Sequence, residues 1–502
     1  MLGTLRGGIL LGLVLLLSAA ASRGAGEMRL KTERFDRDPG WDGRNNRPVK
    51  PGTRPVRQDF GWSPTRHAAG APGEIGGFVT PAAELAYYGK PLEPLTLEQP
   101  ITASGVFFVP AQGGKETGGG NTLVGFFNTE TLNEWRTPNS LVLRINGRGD
   151  GTHLHVEYCT SRWRAGGEFF GDVDPASGKK QPRLLPNGVP HRWSLHYDPA
   201  GNNGGGVVTT VVDGETLVMK LDPGHKADGA RFNRFGILNV LKSADGGGSL
   251  WLDDLVINGW KETFDRDPQW DARGNRVSFD STNVRPQFDF GYSRTHHAGG
   301  AAPGEMGGLI FRGDERSAAS MAYYGDRTEE LSLDHPLKSS GKLAFLRGVT
   351  DSTSMIGFFH SEGTMRVSTA QRSGFPENFL GAVIEGPSSQ GFYFYPAYGT
   401  DREGETLDGF RVEPRGPEPP HLYPDGATHN WSLEYVPGAG KAGRITVTLD
   451  GKSVSLDVRP EHREVGARFN RFGIVTTHID GNGQVVYYDD LTYTVAAPKQ
   501  PR

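Results

Sequence analysis

Cysteine is nearly absent. Cys159 is the single one in 502 residues, so no intramolecular disulfide can form. A secreted chain of this size then relies on core size or a bound metal for stability. Cys159 itself reads as a small packed apolar residue. Charge of one sign is also lacking: 54 basic and 58 acidic residues give a formal net charge of −4. Such a balance excludes a global field for nucleic acid or an anionic membrane. Capped amphipathic helices are missing, which excludes a helical bundle. No P-loop, nucleophile elbow or zinc-protease motif occurs. After the first residues no apolar run is long enough to cross a bilayer.

That first stretch reads as a secretion signal over 1–21. Arg6 supplies the charge, GGILLGLVLLL the apolar core and SAAAS the small-residue cleavage site. The expected location is secreted, periplasmic or cell-surface.

Glycine (72) and proline (34) are abundant, and hydrophobic residues make up 36 %. This composition fits short strands joined by turns. The length asks for more than one core.

The chain repeats itself. GARFNRFGI stands at 229–237 and again at 466–474. Around it, ERFDRDPGWD answers ETFDRDPQWD, AYYG recurs at Ala86 and Ala322, and GFF at Gly125 and Gly357. HRWSLHY from His191 answers HNWSLEY from His429, and WLDDL from Trp251 answers YYDDL from Tyr487. The order is the same in both halves, as expected for duplication of a whole domain. The expected domains are 28–260 and 261–495, without a flexible linker and therefore packed together. LVLRI, HLHVEY, RWSLHY and VVTTVV in the first half, with WSLEY, RITVTL and VVYYDDLTYTV in the second, read as strands. VDGETL and LDGKSV read as hairpin turns. The expected fold class is all-β: two tandem antiparallel β-sandwiches. GARFNRFGI is expected to be a strand with Phe232 and Arg234 on one face and Arg231, Asn233 and Phe235 on the other. An Arg–Asn pair tying neighbouring strands or the seam is the favoured role.

The F-D-x-D-P-x-W opening, the RFG strand and the terminal DDL strand give each half a resemblance to concanavalin A-like jelly rolls of the laminin-G-like type. That superfamily holds lectins, adhesion modules, hydrolases and polysaccharide lyases, so fold alone does not fix function. In such folds the first and last strands commonly lie side by side. The resemblance therefore implies calcium held by Asp36, Asp38 and Asp254 in one half and Asp265, Asp267 and Asp490 in the other, as hard oxygen donors. The β-glucanases of similar fold carry E-x-D-x-x-E. No glutamate here is followed by aspartate two positions later.

Three further sets concern a glycan. His67 and His297 precede glycine-rich loops ending in Glu74 and Glu305 and are candidate ligand contacts. HLHVEYCTSRWR brings His153, His155, Tyr158, Arg162 and Trp163 together, with Arg144 on the preceding strand. The matching positions in the second half include Tyr398 and Arg402. Alternation puts His153 and His155 on one side of the strand, and Tyr158, Thr160 and Arg162 on the other. The resemblance to lyases implies Tyr158 as acid or base, His155 as its partner and Arg162 as a uronate clamp. Three readings stay open. The first is a secreted or cell-surface polysaccharide-binding protein. The second is a polysaccharide lyase, or another carbohydrate-active enzyme, with its site in the first half. The third is a structural adhesion protein.

Overall fold

The computed structural model describes residues 28–111, 121–148, 151–367, 374–401, 407–409 and 418–497. The expected secretion signal and Arg402 lie outside them. Antiparallel strands form four large sheets among the described residues.

Two of these sheets share one core. A nine-stranded sheet carries Phe60, Phe107, Trp193 and Leu252 inward. A seven-stranded sheet opposes it with Tyr88, Phe126, Leu141, Val156 and Phe235. The remaining two sheets, both eight-stranded, enclose a second core around Phe290, Phe345, Phe358, Phe394 and Tyr488. Local chemistry sets the turns. Asp213–Gly214 and Asp450–Gly451 all have positive φ (48°, 89°, 47° and 83°), as a two-residue hairpin requires.

Sheet membership departs from a cut at 260/261. Strand Met28–Glu33 pairs with Gly483–Ala496 near the far end of the chain, in register Met28↔Ala496 to Glu33↔Leu491. Strand Asp42–Arg44 pairs with Tyr323–Ser332. The opening of the first half thus completes the second sheet pair. The equivalent opening of the second half completes the first: Asp271–Arg273 pairs with Tyr87–Thr96, and Arg276–Ser281 with Arg54–Ser63.

The exchange explains the repeated opening motif. Phe35 and Trp41 enter the second core, Phe264 and Trp270 the first. Trp41 packs 5.7 Å from Tyr324, and Trp270 5.7 Å from Tyr88. Glycine is required where the exchanged segments cross. A Cβ on Gly304 (φ +136°) would lie 1.9 Å from the Phe35 carbonyl oxygen, and one on Gly73 (φ +107°) 2.0 Å from that of Phe264.

The exchange also explains GARFNRFGI. Strand Arg231–Asn239 shifts register between Phe232 and Arg234. Phe232 and Phe235 therefore both reach the core, which corrects the simple alternation expected for this stretch: a bulge resets the phase. Arg234 is freed to face the exchanged segment, donating from Nε to Asp271 Oδ2 at 3.0 Å. In the second copy Arg471 Nη2 donates to Asp42 Oδ2 at 2.7 Å. Asn233 accepts from the Thr129 amide at 3.0 Å and ties the strand to a neighbouring loop.

Candidate functional site

Strand Gly151–Cys159 alternates as its sequence suggests. Leu154, Val156 and Tyr158 point into the first core. His153, His155 and Glu157 point to the outer face of the seven-stranded sheet. Register places Arg144 opposite His155, and Asn146 opposite His153. Contacts follow from that register. Arg144 Nε donates to Glu157 Oε1 at 2.9 Å, and the guanidinium lies 5.7 Å from the Trp135 ring. Asn146 Nδ2 and His153 Nε2 are 3.0 Å apart. The His153 and His155 rings are 5.1 Å apart, and His155 meets Phe169 at 5.4 Å. Lys180 sits 5.0 Å over the Phe169 ring and 2.9 Å from Glu168. His153 and Glu157 are buried, and His155 is half-buried. Trp135 is buried as well, so the groups of this face that solvent reaches include the half-buried Arg144, His155 and Phe169.

Of the expected set, His153, His155 and Arg144 come together here. Tyr158 does not. It is 2 % exposed, and its hydroxyl lies 2.9 Å from His225 Nδ1 and accepts from the Asp222 amide at 2.9 Å. Burial pushes the phenol well above its ordinary pKa. A core-facing phenol on the opposite side of the strand from His155 has no access to a glycan, so the catalytic role expected for Tyr158 is corrected. Tyr398 repeats the arrangement: it is fully buried and 2.9 Å from His462 Nδ1. Both histidines ride on short helices, His225–Asp228 and Pro460–Val465. Nothing in the sequence pairs them with the tyrosines, since the partners are more than sixty residues away.

Arg162 is exposed in the turn after the strand and does not converge with His155. Trp163 serves the seam between the two sheet pairs, stacking on Tyr423 at 5.7 Å and packing against the second core. His67 and His297 lie on other sheets. His67 packs 4.1 Å from Trp251, and His297 4.7 Å from Tyr487, each with the rings tilted. Their amides donate to Glu74 and Glu305, both fully buried. Those glutamates clamp the glycine-rich loops.

The expected metal ligands do not gather. Among the described residues no three of His, Cys, Asp and Glu form a metal-binding group. Asp36 and Asp38 share a sheet pair with Asp490, and Asp265 and Asp267 share one with Asp254, because the openings are exchanged. Asp36, Asp38, Asp265 and Asp267 are exposed. Asp38 and Asp267 cap turns, accepting from the Gly40 and Gln269 amides. Asp254 is exposed at φ 52°, and Asp490 pairs with Lys342 at 3.0 Å. The inward carboxylates are their neighbours, Asp253 and Asp489. Burial, reinforced by Asp254, Glu74 and Asp265, pushes Asp253 up to about 7. Burial, with Asp490 and Glu305, does the same for Asp489. Asp489 Oδ2 is buried and has no hydrogen-bond partner among the described residues. An orphaned carboxylate oxygen suits a hard cation completed by carbonyl oxygens. The six aspartates expected from sequence do not fit that role.

Sequence reading expected the halves to pack together but did not find the residues that line their seam. Glu134 is fully buried and accepts from the amide and hydroxyl of Thr350, each at 3.3 Å. Burial raises it to about 7. Arg347 donates to the Asn133 carbonyl at 3.1 Å, and burial lowers it to about 10 against the pull of Glu134 and Glu84.

Solved structures similar to the chain at low identity include polysaccharide lyases and a laminin region. No family model matches the chain, and no curated protein does. The alginate lyase Aly36B is similar at 13 % identity, covering 38 % of this chain and 80 % of that one, with a TM-score of 0.25. An endo-β-1,4-glucuronan lyase from the fungus Trichoderma reesei is 11 % identical, covering 46 % and 94 %, with a TM-score of 0.26. The LG1-3 region of the laminin α2 chain is 11 % identical, covering 84 % and 59 %, with a TM-score of 0.20. No helix among the described residues is long and apolar enough to cross a membrane.

Proposed function

We propose that the chain is a secreted or cell-surface polysaccharide-binding protein built from two concanavalin A-like sandwiches. Its contact surface is the outer face of strands Ser140–Arg148, Gly151–Cys159 and Ala165–Phe169. One observation carries this reading: Arg144, His155 and Phe169, all half-buried, share one face of the sheet, with His153 and Trp135 buried beside them. Planar donors beside aromatic rings match a sugar, whose hydroxyls accept hydrogen bonds while its C–H face packs on a ring. Calcium at Asp253 and Asp489 is proposed as structural support.

A second reading, β-elimination, is favoured by a cluster in the other half. Tyr395 is itself buried against the second core, where burial pushes its phenol up, and its hydroxyl donates to Glu385, the carboxylate of the cluster that solvent reaches. Arg312 donates to the same carboxylate at 2.7 Å and to Thr353 at 2.8 Å. A phenol, a carboxylate and a guanidinium are the groups an elimination uses. This would move the lyase site from the first half to the second.

Native gels cast with uronic-acid and neutral polysaccharides test both. At least one polysaccharide should retard the chain, and His155→Ala should weaken that retardation about fivefold or more, as for loss of a central contact. Absorbance at 235 nm, abolished by Tyr395→Phe, would instead establish the lyase. No retardation by any polysaccharide and no absorbance would sink both.

A further inference from the structure

On other strands than the histidine face, two cavities meet at Arg54 and Asp245. One, of 580 Å³, lies along the edge of the nine-stranded sheet and is walled by Phe78 and Phe279. The other, of 390 Å³, opens between the sheet pairs and is lined by Lys242, Arg285, Asp314 and Asp480. Arg54 and Asp245 line both, so the two form one groove running from an aromatic end to a polar end.

The aromatic end is built. Phe78 and Phe279 are both half-buried. The Arg57 guanidinium lies 5.4 Å from the Phe78 ring centre. A Cβ on Gly247 would come 2.6 Å from Phe78 Cε1, so glycine there is what lets the ring keep its place. Phe279 is anchored below by Val56, Ala82 and Ala244.

Charge decides the ligand class. Each cation lining the groove already holds a carboxylate. Arg54 is 3.6 Å and Lys242 2.7 Å from Asp245, Arg57 is 2.7 Å from Asp59, and Arg285 pairs with Asp480. A uronate or phosphate would have to displace one of these carboxylates. A neutral hydroxyl would not, because it can donate to the carboxylate and accept from the guanidinium of the same pair. An aromatic wall next to such pairs suits a sugar ring followed along its chain by further hydroxyls. We infer that this groove binds a neutral oligosaccharide, as a second glycan site independent of the histidine face.

Calorimetry on the full chain with cellohexaose, xylohexaose and maltohexaose tests the inference. One or more should bind. Phe78→Ala and Asp480→Asn should each weaken that binding about fivefold or more, the scale of one lost stacking or charged hydrogen-bond contact. His155→Ala should leave it unchanged, which separates this site from the proposed polysaccharide face. A guluronate hexasaccharide should show no binding that Phe78→Ala removes. The inference is overturned if none of the three neutral probes binds, or if their binding survives both variants. It is also overturned if the uronate binds here and is lost in Phe78→Ala. Asp480 lies at the surface, so its variant stays informative should Phe78→Ala fail to fold.

Discussion

At the scale of single residues, the face of the strand separates the residues that serve the core from those proposed to meet a ligand. Tyr158 and Tyr398 each hold a histidine and a helix-proximal amide inside a core. Tyr158→Phe leaves the Asp222 amide without its acceptor, which costs about 1–3 kcal/mol. The melting temperature should fall by several degrees with polysaccharide retardation unchanged. Lost retardation at an unchanged melting temperature would contradict the structural role. Alternation in the sequence placed His153 and His155 opposite Tyr158 correctly. It did not tell which face is the core, because both faces carry aromatic and polar residues. The DD pair failed for a related reason. A register shift between Asp253 and Val256 decides which aspartate turns inward, and a bulge leaves no mark in sequence. The buried aspartates also make a pH statement. A carboxyl near 7 in the folded state and near 3.8 when unfolded keeps a proton that the unfolded chain has lost. Its contribution to stability therefore falls as pH rises between those values. Buried His225, lowered below 6.5, works in the opposite sense, so the comparison should be made against a variant. In EDTA, Asp253→Asn should gain on the native chain by roughly 2 °C or more between pH 5 and pH 8. Calcium should shrink that gap by stabilising the native chain at pH 8. A gap that narrows with rising pH in EDTA would remove the buried carboxylate from consideration.

At the scale of elements, the strands were legible and their partners were not. Hydrophobic alternation and the DG turns located the strands because both are local. The exchange of the openings is not local. F-D-x-D-P-x-W occurs in both halves, so either copy matches either sheet pair, and repeat order alone favours the nearer one. The structure selects the farther copy for residues 28–47. Trp41→Ala and Trp270→Ala should each cost about 3–5 kcal/mol, the range for truncating a buried aromatic. Arg234→Ala and Arg471→Ala should loosen the same segments through Asp271 and Asp42. Exchange also predicts how pieces of the chain behave. A fragment of residues 289–497 lacks Phe35 and Trp41 and should unfold without cooperativity. A peptide of residues 28–47 added in trans should restore a sharp transition. Equal cooperativity with and without the peptide would contradict the exchange.

At the scale of the whole molecule, the crossed openings and the buried Glu134–Thr350 contact bind the two sheet pairs together, and the polar end of the second proposed glycan groove opens between them. The polysaccharide reading rests on the face carrying Arg144, His153 and His155. Strand Ala165–Phe169 is the edge of that sheet, so its outward amides are the ones whose exchange a bound chain would slow. Hydrogen exchange of the full chain, with and without the polysaccharide that retards it most, measures this directly. Slower exchange is expected across 161–169, and it should disappear in His155→Ala. Protection confined to the second sheet pair, or no protection at saturating polysaccharide, would contradict the assignment of this face.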